Sequence, residues 1–365
     1  MLRMLKFAAI AFLVSFFLNL AIIVLSKKYR LFITDHLHFG PQSFHTSPTP
    51  RIGGLAIFIG VCLALISAYV FKDIFGVVFS EKFPSLVIFV FPVFLAGFLE
   101  DLSGKLHPKI RLLFLVISSA LFYKFLDVKI IRVDLPFFDK LLQWEVLSFL
   151  FTLFALTGIA NAINIIDGFN GLASMVSMMI FMAIAFVAYK LGDYEITTLC
   201  VVTTFALLGF FLLNYPYGLI FLGDGGAYFV GFLIGVCSVL LVKKHPEVSA
   251  WFALTVNLYP VYETIFSIYR KRILRKRSAM SPDGLHFHML IYRIFIKRLL
   301  EITSPEIRNP LTSVFLWVLN VFAILPALLF WNRRDILIIC CIAFCIFYTY
   351  LYWKILNMKR IKIVE

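Results

Sequence analysis

Apolar residues in this chain come in long unbroken blocks, not at the period of an amphipathic helix or a half-buried strand. A block of about 20 apolar residues is the length of a helix that crosses the hydrocarbon core of a bilayer. With charges and Pro/Gly clusters as boundaries, the blocks predict eleven spanning helices, at roughly 5–25, 52–71, 84–99, 110–126, 145–162, 171–189, 195–213, 226–242, 249–268, 311–331 and 335–355. The first block, Phe7 to Leu25, holds no charge and leads into Lys27, Lys28 and Arg30, with no small-residue cleavage site, so it reads as a retained span and not a removed signal. The expectation is an all-α polytopic membrane protein. One bundle takes in residues 1–365, with the basic, histidine-bearing loop 269–309 as part of it.

Composition agrees with the pattern. A chain that is 62% hydrophobic and 15% charged would expose far more apolar surface than a water-soluble domain tolerates. The formal charge of +14 raises nucleic acid as a partner, but the Lys and Arg sit in short loops between apolar blocks, as topology signals do, which sets nucleic acid aside. The six Cys all fall in apolar blocks without ligand spacing and read as packing residues.

Eleven spans place the loops 26–51, 100–111, 161–170, 214–225 and 269–309 and the C-terminal tail on one side. That side carries 21 of the 34 Lys and Arg, ten of them between Arg270 and Arg308, which marks it as cytoplasmic and leaves the N-terminus outside. Arg3 and Lys6 run against this orientation. The chemically unusual loops all fall on the same side, and one composite site on the cytoplasmic face is the economical reading.

Glu100 and Asp101 close an apolar helix in the run GFLEDLSGKLHPKIRLL. Adjacent carboxylates near membrane depth call for water, a metal or a cation; the alternative is a solvated helix end. Lys105, Lys109 and Arg111 follow and suit an anionic ligand. In NAINIIDGFNGLA, Asn161, Asn164, Asp167 and Asn170 recur at three-residue intervals, near one helical face. Gly168 and Gly171 then permit a tight turn before a helix N-terminus that can take an anion, unless the segment is only a polar turn. In FLGDGG, Asp224 lies among glycines ahead of a helix. It suits Mg²⁺, which keeps waters and bridges phosphate oxygens, and equally an ordinary Asp-Gly turn. Phe221 is either core or a base-stacking platform. The loop 269–309 begins RKRILRKR and holds SPDGLHFHML, where His286 and His288 lie two apart and not at the spacing of a helical zinc pair. Phosphate contact, acid–base work and a plain surface loop remain open for them. The basic run itself marks the inner leaflet and its anionic membrane lipids.

In combination, PTPRIGG at 48–54, the Glu100-Asp101 pair with PKIRLL, NAINIIDGFNGLA, FLGDGGAYFVGF and PDGLHFHML resemble the polyprenyl-phosphate N-acetylhexosamine-1-phosphate transferase family, in its motif order, over about residues 45–290. The span count is similar to the branch that starts O-antigen, enterobacterial common antigen and wall teichoic acid synthesis. The resemblance implies a bacterial inner-membrane enzyme that moves a sugar phosphate from a UDP-N-acetylhexosamine to undecaprenyl phosphate and releases UMP, with Mg²⁺, or Mn²⁺ in its place. It implies Asp224 as the metal ligand and Glu100 and Asp101 as the acidic pair of the catalytic centre. Asn164, Asp167 and Asn170 match the nucleotide and catalytic pocket, Asn214 and Phe221 match positions for uracil, and His286 and His288 match the family's HxHH loop. Three positions depart from the pattern: Glu100 for the usual first Asp, Met289 for the final His, and Glu263 where relatives often carry Asp.

Phosphoryl transfer depends mainly on positioning and charge neutralisation. A lipid phosphate, with a second pKa near ~6 by analogy with phosphorylated side chains, is largely dianionic at neutral pH. Direct attack is therefore favoured over a covalent carboxylate intermediate, with Glu100 or Asp101 orienting the phosphate or taking any remaining proton. The competing class is a secondary transporter or lipid flippase with carboxylates at the midplane. Polar motifs on one side, with no matching set opposite and no internal repeat, point instead to one-sided enzymology. A homodimer is compatible with such a bundle, and the transferred sugar stays open.

Overall fold

The computed structural model describes residues 2–29, 49–71, 82–274 and 285–361. Pro48 of the first motif and the stretch 275–284, with the end of the basic run and the start of the histidine motif, lie outside the described residues. The regular structure among those described is helical, without a strand. The helices are α1 (Leu2–Tyr29), α2 (Gly53–Val70), α3 (Ser85–Ser103), α4 (Pro108–Phe125), the short α5 (Pro136–Leu142), α6 (Glu145–Ile166) and α7 (Leu172–Lys190). They continue as α8 (Tyr194–Asn214), α9 (Gly223–Lys244), α10 (Ala250–Val256), α11 (Leu258–Tyr269), the short α12 (Phe287–Leu290), α13 (Pro305–Leu329) and α14 (Arg334–Ile361). π-helical stretches extend α11 over Arg270–Leu274 and α12 over Ile291–Leu299.

Nine of the described helices are long and apolar enough to cross a bilayer. The expected spans 110–126 and 249–268 are helical too but do not belong to that set. The first is α4, which carries Lys109, Arg111 and Lys124. The second is broken into α10 and α11 at Asn257. Its cause is Pro260, whose ring clashes with the carbonyl four residues back, at Val256. Asn257 covers the break by donating to Ser238 Oγ at 3.1 Å and to the Ala253 carbonyl at 2.8 Å.

α9 runs through the middle of the bundle, packed against α2, α3, α6 and α7, and nearly every residue along it is buried. Its glycines make that possible. A Cβ on Gly231 would lie 2.9 Å from Ala160 Cα of α6, and one on Gly97 of α3 would collide with the Asp224–Gly225 backbone. Small residues in this role let helices approach closely in lipid, where no hydrophobic force drives them together. Two backbone bonds also tie α2 to the α9 entry: Gly53 N–H donates to the Phe221 carbonyl at 2.9 Å and Gly54 N–H to Leu222 at 2.8 Å.

Gly97→Ala is expected to lower thermal stability in detergent by about 1–3 kcal/mol, the cost of overpacking. Gly158→Ala, where an added Cβ meets nothing within 4 Å, is the control and is expected to leave the unfolding midpoint unchanged or raised.

Candidate functional site

The site is organised by the first turn of α9. Gly223 takes a left-handed φ of +74°, beside the Arg51 carbonyl, and turns the chain into the helix. The first N–H groups of a helix have no partner within it. Here the buried carboxylate of Asp101 supplies two, accepting from Asp224 N at 2.8 Å on Oδ1 and from Gly225 N at 2.8 Å on Oδ2. The Asp224 side chain turns away from this cap, pairs through Oδ2 with Arg111 Nη1 and accepts from Asn164 Nδ2 at 3.2 Å on Oδ1. Next to Asp101, Glu100 accepts from Leu106 N at 2.7 Å through Oε2 and so shapes the α3–α4 turn that delivers Arg111.

Asp167 caps the C-terminal end of α6. Burial pushes its carboxyl up to about 7; the Arg51 guanidinium pulls the other way and the Asp224 carboxylate adds to the rise. Arg51 also faces Asp101. Neither the Asp167 carboxyl nor the Arg51 guanidinium makes a hydrogen bond or close ion pair among the described residues, so both keep bonding capacity for a ligand.

A histidine wall closes one flank. The buried carboxylate of Glu263 lies 3.2 Å from His286 Nδ1, accepts from Phe287 N at 3.0 Å and takes a bond from the Tyr348 hydroxyl. His288 stacks parallel on His286, with ring centroids 5.1 Å apart, and meets Phe169 edge-on at 5.7 Å. The His loop therefore stands beside Gly168 and Phe169 of the NAINIIDGFNGLA segment.

The structure thus brings Glu100, Asp101, Arg111, Asn164, Asp167, Asp224, His286 and His288 to one end of the bundle. Other expected positions lie close by but are differently engaged. Asn161 donates to Thr157 O of its own helix at 2.9 Å. The three-residue spacing does not keep the four polar residues on one helical face, because α6 ends at Ile166. Asn170 is buried and donates through Nδ2 to the Pro216 carbonyl at 2.8 Å, while its backbone N–H donates to Asn309 Oδ1 at 2.9 Å. Asn214 accepts from Gly171 N at 2.6 Å and donates to Ile220 O at 2.7 Å. Asn214 and Asn170, expected to contact substrate, are buried amides that bond loop backbone at the walls of the site. Phe221 is half-buried, and its backbone pairs with Pro50 and Gly53. Lys109 is exposed at the rim. Asp224, expected on a turn ahead of its helix, is inside the first turn of α9.

Two site residues escaped the sequence reading. Arg51 sits inside PTPRIGG, and a lone cation in a Gly/Pro turn at a span entrance was the available signal. Glu263 stood out only as a departure, with nothing to say that it anchors the His loop. The opposite end of the bundle carries charge as well. Arg132 and Asp134 pair there, Arg132 donates to the Val242 and Val248 carbonyls, and Asp134 accepts from Ser249 Oγ and Ala250 N.

A family model described as glycosyl transferase family 4 matches residues 83–242, which include Glu100, Asp101, Arg111, Asn164, Asp167 and Asp224. The chain is 30% identical over 285 residues to the probable undecaprenyl-phosphate N-acetylglucosaminyl 1-phosphate transferase of Bacillus subtilis, a match that spans 76% of this chain and 75% of that protein. It is 29% identical to the decaprenyl-phosphate N-acetylglucosaminephosphotransferase of Mycolicibacterium smegmatis, over 76% of this chain and 71% of that one. The phospho-N-acetylmuramoyl-pentapeptide-transferase of Staphylococcus carnosus is also 29% identical, over 77% of this chain and 89% of its own length. The chain belongs to glycosyl transferase family 4 and is a multi-pass membrane protein.

Asp167 offers a pH test. The folded chain holds its proton up to about 7, whereas an unfolded chain releases it near ~3.9. The group's contribution to stability is therefore present at low pH and is lost as pH rises through about 7. The infrared band of its protonated carboxyl is expected to vanish with a midpoint near that value, and Arg51→Gln is expected to move the midpoint upward. For Asn214→Ala, the expected result is a loss of about 1–3 kcal/mol in stability, from a buried N–H and carbonyl left without partners. A raised KM at unchanged stability would return Asn214 to the substrate.

Proposed function

We propose that this protein transfers a HexNAc-1-phosphate from a UDP-sugar to undecaprenyl phosphate on the cytoplasmic face of a bacterial plasma membrane, as the first membrane step of a cell-envelope polysaccharide. One observation carries the reading. Acidic and cationic side chains with bonding capacity to spare converge at one end of a membrane bundle, in a member of glycosyl transferase family 4. The names of the relatives supply the polyprenyl phosphate and the amino-sugar phosphate; the excess of Lys and Arg on this side supplies the orientation. A midplane transport site is not favoured, because the convergent groups sit at helix ends.

The donor set fits a magnesium-type ion. Among the described residues no three carboxyl, imidazole or thiol groups form a closed metal site. Mg²⁺ is commonly held by one or two carboxylates together with waters and substrate phosphates. Asp224 is such a carboxylate. Each of its oxygens is engaged once, by Asn164 or by Arg111, and each carries a second lone-pair site. Mn²⁺ suits the same oxygen donors. Such an ion, when bound, neutralises pyrophosphate charge and polarises the β-phosphorus.

The chain's own groups do the positioning. Arg111 and Arg51 offer guanidinium donors to phosphate oxygens. A lipid phosphate oxygen forms the new bond to the β-phosphorus as the bond to the bridging oxygen breaks, and UMP departs with that oxygen. Of the acidic pair, Glu100 keeps Oε1 clear of the described backbone and is the group suited to orient the incoming phosphate or take its proton. Asp101 has both oxygens committed to the α9 cap, which suits a positioning residue and disfavours a covalent intermediate on it. His286 and His288 stand where they can contact phosphate.

The test is release of UMP by detergent-purified protein given undecaprenyl phosphate and a panel of UDP-N-acetylhexosamines, with and without Mg²⁺. At least one sugar is expected to turn over with Mg²⁺ alone added. Asp224→Asn is expected to lower the rate by about 10²-fold or more while the protein stays folded, since even outer-shell changes at metal sites cost 10–100-fold. No turnover with any UDP-sugar would sink the proposal.

A further inference from the structure

Arg308 counts among the basic residues that mark the inner leaflet, yet it is only 8% exposed. It sits in the first turn of α13, at the electropositive end of that helix. Its guanidinium lies over the Tyr292 ring, 4.1 Å from the centroid, and Nη2 donates to a Tyr292 hydroxyl at 2.7 Å. Nε is buried without a partner, and no carboxylate among the described residues pairs with Arg308. A guanidinium carries five N–H donors and does not shed its charge. Here one of the five has a protein acceptor, a neutral one. Buried charge without a counter-charge is costly, and truly buried charges are paired or bind an ion.

The place of this cation is fixed against the site. Asn309, the next residue, accepts the Asn170 N–H at 2.9 Å, and Ser313 Oγ, one turn further on, donates to the Asn170 carbonyl at 2.6 Å. Tyr292 packs on Phe169, with ring centroids 5.2 Å apart, and Phe169 meets His288. The loop that begins beside Asp224 at Asn164 therefore ends beside Arg308. We propose that Arg308 is a phosphate-binding residue of this site, supplying a third cationic anchor beside Arg111 and Arg51, across the 164–170 segment from Arg111. It rests on the transferase reading for the identity of the substrates, but not for the need of an anion.

The experiment uses full-length protein in detergent, wild type and Arg308→Met, with sodium pyrophosphate, UDP-N-acetylglucosamine and undecaprenyl phosphate as separate probes of thermal stabilisation. Arg308→Met is expected to be as stable as wild type or more so without probe, because an uncompensated charge is replaced by an apolar chain of similar length. Its apparent affinity for at least one probe is expected to fall about tenfold or more, as when a hydrogen bond to a charged group is lost. A fall confined to pyrophosphate and the UDP-sugar assigns the nucleotide's phosphates, and a fall confined to undecaprenyl phosphate assigns the lipid's. Wild-type affinity for all three probes in a folded variant would overturn the proposal and leave Arg308 as a stacking residue on Tyr292. If Arg308→Met fails to fold, Arg308→Gln carries the same test by the same criteria. The two readings separate cleanly. Pyrophosphate binding that depends on Arg308 in a protein that turns over no UDP-sugar sinks the transferase and keeps the subsite. Turnover with KM for both substrates unchanged in Arg308→Met does the reverse.

Discussion

The clamp between Asp101 and the first turn of α9 is the constraint on which the rest of the site depends. A helix N-terminus inside a membrane protein presents N–H groups that water cannot reach, and leaving them unpaired is costly. One carboxylate takes two of them, from Asp224 and Gly225. It can do so only because Gly97, one turn earlier on α3, has no side chain to hold the helices apart. Backbone contact and carboxylate cap together fix the end of α3 to the start of α9 at van der Waals distance. The Asp224 side chain then has a single course, outward to Arg111 and Asn164.

From that clamp the other members follow by connection. Glu100, next to Asp101, is spent in part on the Leu106 N–H and so sets the turn that brings Arg111 back to Asp224. The α2 entrance is tied to Phe221 and Leu222, which sets Arg51 on the opposite flank, facing Asp167. Asn214 and Asn170 carry the same logic to the far side, where they bond loop backbone of the α6–α7 and α8–α9 connections. Some of the polar residues at this end therefore hold the geometry, and others keep capacity for something that is not protein.

That division explains how far the sequence could be read. The bundle was legible, because apolar blocks of bilayer length admit few other folds, and the motifs expected to gather do meet at one end of it. The roles of particular amides and acids were not. Asn164 and Asn161 look alike in sequence, yet one faces Asp224 and the other bonds back to Thr157. Spacing could not separate them, since both lie within α6 three residues apart, and the placement of α9 decides which amide meets Asp224. Asp101 and Glu100 likewise differ by which backbone amides lie within reach, a property of the neighbouring helix. Glu263 is nearly invisible in sequence because its partners His286, Phe287 and Tyr348 are far along the chain.

The opposite end of the bundle shows why polar content alone does not define a site. Arg132, Asp134 and Ser249 form a polar network there. Its contacts close on themselves: Arg132 gathers carbonyls at and just beyond the end of α9, and Asp134 caps α10 while it neutralises Arg132. Such a cluster finishes helix ends. At the Asp224 end the closure is partial: Asp224 pairs with Arg111, but Arg51 faces Asp167 without a close pair, and burial holds the Asp167 proton up to about 7. Charge kept near its opposite but not joined to it stores interaction for an incoming ion or phosphate, which is the electrostatic preorganisation that phosphoryl transfer requires.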